Sequence, residues 1–163
     1  MSVTTATPEA RLLVVEDEPN IRELLATSLR FAGFEVHVAA DGAGALRQAA
    51  EHDPDLVVLD VMLPDMDGFT VTRKLRDSGR VLPIVFVTAR DSLEDKIQGL
   101  TVGGDDYVTK PFSLEEVVAR IRAVLRRTDR AQQFVRTALY GRACTVADSV
   151  ETANNCKSTG LPA

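Results

Sequence analysis

Residues 54–68 read PDLVVLDVMLPDMDG, an apolar run that stops at a carboxylate and is bounded by two prolines. Four consecutive apolar residues, Leu56–Leu59, are typical of a strand that is covered by helices on both faces of a parallel sheet. In open α/β sheets, ligands bind beyond the carboxyl ends of such strands. Asp60, the first residue after this strand, is therefore predicted to lie at the functional site.

A second apolar run, near the N-terminus, also ends in acidic residues. Leu12 to Val15 are followed directly by Glu16, Asp17 and Glu18. If the two strands are parallel neighbours, the carboxylates of Glu16, Asp17 and Asp60 converge. Three carboxylates at one point repel one another unless a cation joins them, and oxygen ligands suit Mg²⁺. The sequence thus predicts a magnesium site, although any one of these acids would also fit a helix N-cap or an exposed turn, the role we assign to Glu18.

Two further predicted strands supply a hydroxyl and an ammonium group at the same edge. Thr88 follows the apolar run from Leu82 to Val87, and Lys110 comes shortly after the run from Asp105 to Val108. Either residue alone would fit a turn or a surface charge. Together with the acids, they predict a site for a phosphoryl group on Asp60, in which Mg²⁺, Lys110 and Thr88 each contact one phosphoryl oxygen.

The order of the predicted elements indicates the fold class. Strands and helices alternate five times, which favours a parallel sheet with right-handed crossovers. Asp91 with Glu94, and Ser113 with Glu116, match capping boxes at the start of the last two helices. The predicted helices span Pro19 to Phe31, Gly42 to Glu51, Gly68 to Asp77, Ser92 to Leu100 and Ser113 to Arg127.

Together, these residues resemble the receiver domain of bacterial two-component response regulators. The resemblance extends over about residues 11–127 and depends on Glu16-Asp17, Asp60, Thr88 and Lys110-Pro111. It implies a flavodoxin-like, doubly wound (βα)5 fold of the α/β class, with a central five-stranded parallel sheet in the order 2-1-3-4-5. It also implies a cis peptide bond between Lys110 and Pro111, which an X-Pro bond tolerates.

The resemblance also implies a role for each site residue. Asp60 would be the phosphoacceptor, and a sensor histidine kinase would be the phosphodonor. Asp17 would bind Mg²⁺ directly, Glu16 would act mainly through water, and the backbone carbonyl of Met62 would be the third protein ligand. The family often has Asp where this chain has Glu16. Kinase recognition is expected on the first helix, around Ile21, Arg22, Leu25 and Leu29.

Residues 103–112 and the helix that follows resemble the OmpR/PhoB family of response regulators more narrowly. That resemblance implies that Tyr107 turns inward in the active state, as Thr88 moves toward the phosphoryl group. It also implies a symmetric dimer, formed on phosphorylation, in which Lys96 pairs with Glu116 and Asp106 with Arg120. The interface residues would be Lys96, Asp105, Asp106, Glu116 and Arg120, around an apolar patch that includes Ile97, Leu100 and Val118.

The chain is predicted to hold one receiver domain between less ordered segments. Residues 1–10 are expected to be disordered, residues 11–127 to form the receiver domain, and residues 128–163 to form a largely disordered linker or tail, because the tail is rich in Ser, Thr and Asn. The OmpR/PhoB family normally continues into a winged-helix DNA-binding domain. No complete domain of that kind is expected here, so DNA would be contacted only through a missing effector domain.

Composition narrows the functional classes. A net charge of −5 argues against electrostatically driven binding of nucleic acid by this segment. No apolar stretch approaches the roughly 20 residues of a membrane span, and the polar N-terminus has no signal-peptide core. A cytoplasmic location without a membrane partner is therefore expected.

A second functional class also fits an acidic nucleophile with Mg²⁺. In an aspartyl-phosphate hydrolase, the phosphoryl group on Asp60 would be an intermediate of turnover. Haloacid-type phosphatases need an Asp two residues beyond the nucleophile, and this chain has Met62 there. The sequence therefore favours a signalling phosphoacceptor, with self-catalysed phosphorylation and dephosphorylation, over a hydrolase.

Overall fold

The computed structural model describes residues 7–129, in which strands and helices alternate five times as predicted. The bounds of α1 and α3 equal the predicted ones, and the other bounds differ by at most two residues, which is the usual uncertainty of element ends. The elements are β1 (Arg11–Val15), α1 (Pro19–Phe31), β2 (Glu35–Ala39), α2 (Gly42–His52), β3 (Leu56–Leu59), α3 (Gly68–Asp77), β4 (Ile84–Thr88), α4 (Leu93–Thr101), β5 (Asp106–Thr109) and α5 (114–129).

The five strands form one parallel sheet in the order β2-β1-β3-β4-β5. Val15 is in register with Leu59, so the residues that follow them, Glu16 and Asp60, leave the sheet side by side. Thr88 at the end of β4 is in register with Thr109 at the end of β5. The register therefore brings the predicted site residues to one edge of the sheet, and the predicted fold class and strand order are confirmed.

Helices cover both faces of the sheet. Along β1, Leu12 and Val14 belong to a hydrophobic cluster with residues of α1 and α5, whereas Leu13 and Val15 belong to a second cluster with residues of α2 and α3. All four residues of β3 are at most 1% exposed, as predicted from their continuous apolar run. This double burial fixes the position of the loop that begins at Asp60.

The cap of α4 differs from the prediction. The N-cap is Ser92, not Asp91: the Ser92 hydroxyl accepts a hydrogen bond from the Asp95 amide (3.1 Å) and donates one to the Asp95 carboxylate (2.7 Å). The capping boxes Asp91 with Glu94 and Ser92 with Asp95 are shifted by one residue. Both place an acid three positions after a capping residue, so the sequence pattern alone did not distinguish them. At α5, the Ser113 hydroxyl accepts from the Glu116 amide (3.0 Å), as predicted.

The sheet lies within one compact unit, which ends at Leu125. Within residues 7–129, no helix has the length and apolar character needed to cross a membrane. Residues 1–6 and 130–163 lie outside the described residues, so the disorder predicted for the two ends of the chain stays a prediction.

Candidate functional site

Three acids meet at the carboxyl edge of the sheet. Glu16 and Asp60 are 2% and 4% exposed, whereas Asp17 is exposed. One carboxylate oxygen from each lies within 4.8 Å of the other two. The structure thus brings together the three residues that the sequence predicted to converge.

Lys110 connects two of these acids. Its ammonium nitrogen Nζ lies 2.5 Å from Oε1 of Glu16 and 2.9 Å from Oδ2 of Asp60, and its side chain is 17% exposed. Burial alone would lower the pKa of Lys110, but the hydrogen bonds with Glu16 and Asp60 outweigh it and raise that pKa. The peptide bond between Lys110 and Pro111 is cis, as the resemblance implied.

Glu16 is the most perturbed acid of the site. Burial is the main cause that raises the pKa of Glu16 from 4.5 to about 7; the hydrogen bond from Lys110 opposes this rise, and the nearby Asp60 carboxylate contributes to it. Without a divalent cation, the Glu16 carboxyl group therefore holds its proton more tightly in the folded state than in the unfolded state. The stabilisation due to this proton is fully present below pH 4.5 and is lost as the pH rises through about 7.

A pH-dependent stability difference follows for Glu16→Gln. In buffer with a chelator, the free energy of unfolding of the variant minus that of the wild type should increase by about 1–3 kcal/mol from pH 4.5 to pH 8. The reason is that a buried amide carries no charge to desolvate, whereas the Glu16 carboxyl group ionises over this range. Urea unfolding at both pH values measures this difference. The exposed Glu115→Gln variant is the matched control and should show no such trend. An equal difference at both pH values for Glu16→Gln would contradict the raised pKa.

A cavity of about 420 Å³ opens at the acids. The Met62 amide donates to Oδ1 of Asp60 (3.0 Å), so the backbone of the following loop is held against the phosphoacceptor candidate. Carboxylate oxygens from three residues, with space for water, fit the ligand preference of Mg²⁺. The cavity lining includes Glu16, Asp17, Asp60, Met62, Ala89 and Lys110.

Thr88 lies at the predicted strand end but is fully buried. Its hydroxyl accepts a hydrogen bond from the Arg90 amide at 3.4 Å. The next residue, Ala89, lines the cavity instead. Contact of the Thr88 hydroxyl with a phosphoryl group therefore stays a prediction.

Tyr107 points inward from β5. Its ring packs 5.8 Å from that of Phe86, and its hydroxyl donates to the backbone carbonyl of Arg90 (2.5 Å). A Cβ atom at Gly99 would lie only 3.0 Å from the Tyr107 ring, so the glycine leaves space for this orientation. Burial raises the pKa of Tyr107 to about 12, which keeps the hydroxyl protonated as a donor.

The residues predicted to pair across a dimer are in part paired within the chain. Arg120 donates from Nη1 to both carboxylate oxygens of Asp106 (3.0 and 3.1 Å), and its Nη2 lies 3.7 Å from Glu116. Asp105 accepts a hydrogen bond from the Ile84 amide (2.9 Å). Lys96 is half-buried on α4. The charged pairs predicted between subunits thus compete with pairs inside one subunit.

One residue of the predicted apolar patch lies elsewhere. Val118 lines a groove between α1 and α5 together with Thr27 and Phe31, so it does not belong with Ile97 and Leu100 on α4. The exposed apolar residues of α4 are Leu93, Ile97 and Leu100, which are 73%, 55% and 53% exposed. The patch is therefore formed by α4 alone, and the prediction for Val118 was wrong.

The expected kinase-facing residues of α1 also need correction. Leu25 and Leu29 are at most 1% exposed and pack in the core, so they cannot contact a partner. Leu24 and Phe31 are the exposed apolar residues of α1, at 49% and 94%. Phe31 lies on the α1–α5 groove, a cavity of about 580 Å³.

Asp65 makes a structural contact that the sequence did not indicate. Its carboxylate accepts hydrogen bonds from the amides of Gly42 (2.8 Å) and Ala43 (2.9 Å) at the start of α2, and these bonds lower the pKa of Asp65. The loop after Asp60 is thereby fastened to α2. No sequence signal marked this contact, because the residues lie more than twenty positions apart.

Comparisons with known proteins agree with this geometry. A family model described as the response regulator receiver domain matches residues 12–122. The probable transcriptional regulatory protein TcrX of Mycobacterium tuberculosis is 56% identical over 117 residues, which are 72% of this chain and 50% of TcrX. The chain spans about half the length of the curated relatives it matches.

Solved structures give the same result for the fold. The receiver domain of the Francisella response regulator 1452 is 36% identical with a TM-score of 0.71, and the match covers 74% of this chain and 99% of that domain. The BeF3-activated N-terminal receiver domain of Klebsiella pneumoniae RstA is 38% identical with a TM-score of 0.67, covering 71% of this chain and 98% of that domain.

Proposed function

Because this chain belongs to the response regulator receiver domain family, we propose that it accepts a phosphoryl group on Asp60 from a sensor histidine kinase of a two-component system. The observation that carries the proposal is the position of Asp60, a buried carboxylate at the cavity floor that is held by the ammonium group of Lys110 (2.9 Å) and the Met62 amide (3.0 Å). Transcriptional control is the proposed output, by similarity to relatives that are named as transcriptional regulators.

In the proposed transfer, a carboxylate oxygen of Asp60 attacks phosphorus. The bond from phosphorus to the donor imidazole nitrogen breaks, the imidazole keeps the electron pair, and an acyl phosphate forms on Asp60. Lys110 then donates to a phosphoryl oxygen from its place beside the attacking carboxylate of Asp60. Asp60 and Lys110 thus supply the nucleophile and a fixed positive charge.

Glu16, Asp17, Asp60 and the Met62 carbonyl would hold Mg²⁺. When bound, the ion would neutralise negative charge on the incoming phosphoryl group. Three ionised carboxylates and one ammonium carry −3 + 1 = −2 charges, which a divalent cation balances. Binding would also favour the ionised form of Glu16, whose pKa of about 7 reflects the site without a cation.

The first test of this function needs no kinase. Incubation of the chain with acetyl phosphate and MgCl₂ should add one phosphoryl group, measured by intact mass. Addition of a chelator for Mg²⁺ should prevent the gain. No gain in mass at millimolar Mg²⁺ would contradict the proposal.

The alternative hydrolase function is not supported further. Met62 occupies the position of the required second acid, and its side chain is 55% exposed at the mouth of the cavity. The residues that line the cavity also include Glu18, which already serves as the N-cap of α1. We therefore propose only the phosphoacceptor function.

The proposed switch couples Thr88 to Tyr107. The phosphoryl group adds about −1.5 to −2 charges and would attract the Thr88 hydroxyl. The inward orientation of Tyr107, with its bond to the Arg90 carbonyl, is compatible with the packing around Gly99. Phosphorylation would act by increasing the population of this orientation.

The Tyr107→Phe variant should separate switching from phosphorylation. Each of the two copies loses one hydrogen bond worth about 0.5–1.5 kcal/mol, which should raise the dissociation constant of the activated dimer about five- to 150-fold. Labelling of Asp60 by acetyl phosphate should change by less than about threefold, because Tyr107 contacts Arg90 and not Asp60. Sedimentation with beryllofluoride measures the first effect. A dimer as stable as that of the wild type would contradict the coupling.

The proposed dimer uses α4, β5 and α5. Leu93, Ile97 and Leu100 provide an exposed apolar stripe at helical spacing. On activation, Arg120 and Lys96 would pair with Asp106 and Glu116 of the second copy. These pairs are expected to set geometry more than affinity, because exposed ion pairs contribute only about 0–1 kcal/mol each.

Kinase docking is proposed on the exposed side of α1. Leu24 and Phe31 take the place of the buried Leu25 and Leu29 in this proposal. The α1–α5 groove gives an apolar surface for a partner helix. Docking here would bring the donor histidine toward the cavity edge, where Ile21 of the same helix lies.

A further inference from the structure

We propose that Arg22 is a positioning residue for the two acids of the loop between β1 and α1, a role that no comparison assigns. This inference concerns the metal site of the proposed function and rests on it. Arg22 would hold the backbone of Glu16 and Asp17 so that both carboxylates face Asp60. The family resemblance placed Arg22 instead among the residues that contact a kinase.

The evidence is a pair of hydrogen bonds from one guanidinium nitrogen. Nη1 of Arg22 lies 3.0 Å from the carbonyl oxygen of Glu16 and 3.3 Å from that of Asp17. Arg22 is half-buried on the first turns of α1, where its own amide donates to the Glu18 carbonyl (2.9 Å). Its backbone is thus fixed by the helix, and its side chain reaches back over the loop.

The loop needs such support because of its geometry. Successive side chains of an extended strand point to opposite faces, yet the carboxylates of the adjacent Glu16 and Asp17 converge. The backbone must therefore turn at this point, and the two carbonyls leave the regular hydrogen bonds of β1. The Glu16 amide still donates to the Ala39 carbonyl of β2 (3.1 Å). The backbone N–H of Glu16 is thus fixed by the sheet, and its backbone carbonyl is fixed by Arg22.

Arginine suits this task better than lysine. A guanidinium group presents several donors in a rigid plane, so it can stay in contact with two adjacent carbonyls. A lysine ammonium keeps the charge but is a compact group on a flexible stem. Arg22→Lys should therefore retain only part of the effect.

The direction in which the Mg²⁺ affinity changes distinguishes a positioning role of Arg22 from an effect of its charge. Arg22 is positive, so its removal should by itself strengthen cation binding at a nearby acidic site. Loss of positioning should weaken it, since removal of groups that orient metal ligands typically lowers affinity about 10–100-fold. A matched charge control is available: Arg47 of α2 lines the same 310 Å³ cavity as Arg22, and its side chain is exposed.

The test is a titration of the whole chain with MgCl₂, without a phosphodonor, followed by the amide NMR signals of Glu16, Asp17 and Asp60. We expect Arg22→Met to raise the dissociation constant at least about tenfold, Arg22→Lys about threefold, and Arg47→Met to leave it unchanged or lower it. In labelling by acetyl phosphate, the Mg²⁺ concentration at half-maximal rate should rise by the same factors. The rate at saturating Mg²⁺ should stay within about threefold of the wild type.

The other possible results of the Mg²⁺ titration each lead to a different conclusion. Unchanged Mg²⁺ affinity in both Arg22 variants overturns the inference, even if their thermal stability or kinase-dependent labelling falls. If Arg22→Met does not fold, Arg22→Lys alone decides, and unchanged affinity in that variant overturns the inference. If the wild type itself binds no Mg²⁺, the proposed function fails first and the inference fails with it.

Discussion

The Asp60→Asn variant is expected to show no labelling by acetyl phosphate, a loss of at least about 10³-fold relative to the wild type. A carboxamide has nearly the same shape as the carboxylate but is a very poor nucleophile toward phosphorus. The substitution also leaves Lys110 with Glu16 as its remaining acidic partner at this site. Because Asp60 is 4% exposed and makes its contacts within the site, the sheet around it should stay folded.

The matched control for this prediction is Asp77→Asn. It makes the same chemical change at an exposed acid near the end of α3. Its labelling should equal that of the wild type, measured by intact mass after equal incubation with Mg²⁺. Labelling of Asp60→Asn at the level of Asp77→Asn would show that another residue accepts the phosphoryl group.

Charge reversal at Arg120 is expected to have the second largest effect. In the folded chain, Arg120 contacts the carboxylates of Asp106 (3.0 Å) and Glu116 (3.7 Å). An Asp at position 120 would place three acids together, within one copy and across the proposed interface. We expect the beryllofluoride-activated dimer to weaken at least tenfold, since close like charges at an interface cost several kcal/mol. Phosphorylation of Asp60 should continue, because neither contact of Arg120 belongs to the cavity.

Two further variants make the dimer test specific. Asp106→Arg combined with Arg120→Asp exchanges the charges and should restore part of the dimer. Arg122→Asp reverses a charge on the same helix but at the α1–α5 groove, so it should dimerise as the wild type does. Sedimentation at low and high salt measures all of them. A normal dimer in Arg120→Asp, or a monomeric wild type with beryllofluoride, would contradict the interface.

The sheet and its functional edge were predictable because their signals are local. The buried strands β1 and β3 contain apolar runs that are followed directly by Glu16 and Asp60. Parallel register then carries Glu16 and Asp60 to the same edge without any further information. The residues that line the cavity were therefore more predictable than the surfaces of the helices.

Helix faces were harder to predict. Leu25 and Leu29 face the sheet, whereas Leu24 on the same helix is exposed. Val118 lies at the α1–α5 groove and not beside α4. Periodicity shows that a helix has an apolar stripe, but the neighbour of that stripe depends on packing. Residues at the margin of a stripe were therefore assigned to the wrong surface.

Several side-chain contacts outside the strand ends had no sequence signal. Asp65 accepts hydrogen bonds from two amides at the start of α2, and Arg76 of α3 donates to the Leu82 carbonyl (2.5 Å). Arg120 pairs within the chain although the family resemblance placed its partner in a second copy. Each of these contacts depends on the path of a loop, which neither composition nor periodicity specifies.

Chemical mapping of the phosphorylated wild type identifies the residue that accepts the phosphoryl group. The chain is incubated with acetyl phosphate and MgCl₂, reduced with borohydride to convert an aspartyl phosphate to homoserine, digested and sequenced by mass spectrometry. We expect homoserine at position 60, only when phosphodonor and Mg²⁺ are both present. Homoserine at position 17, modification at another residue, or no modification at all would contradict this expectation.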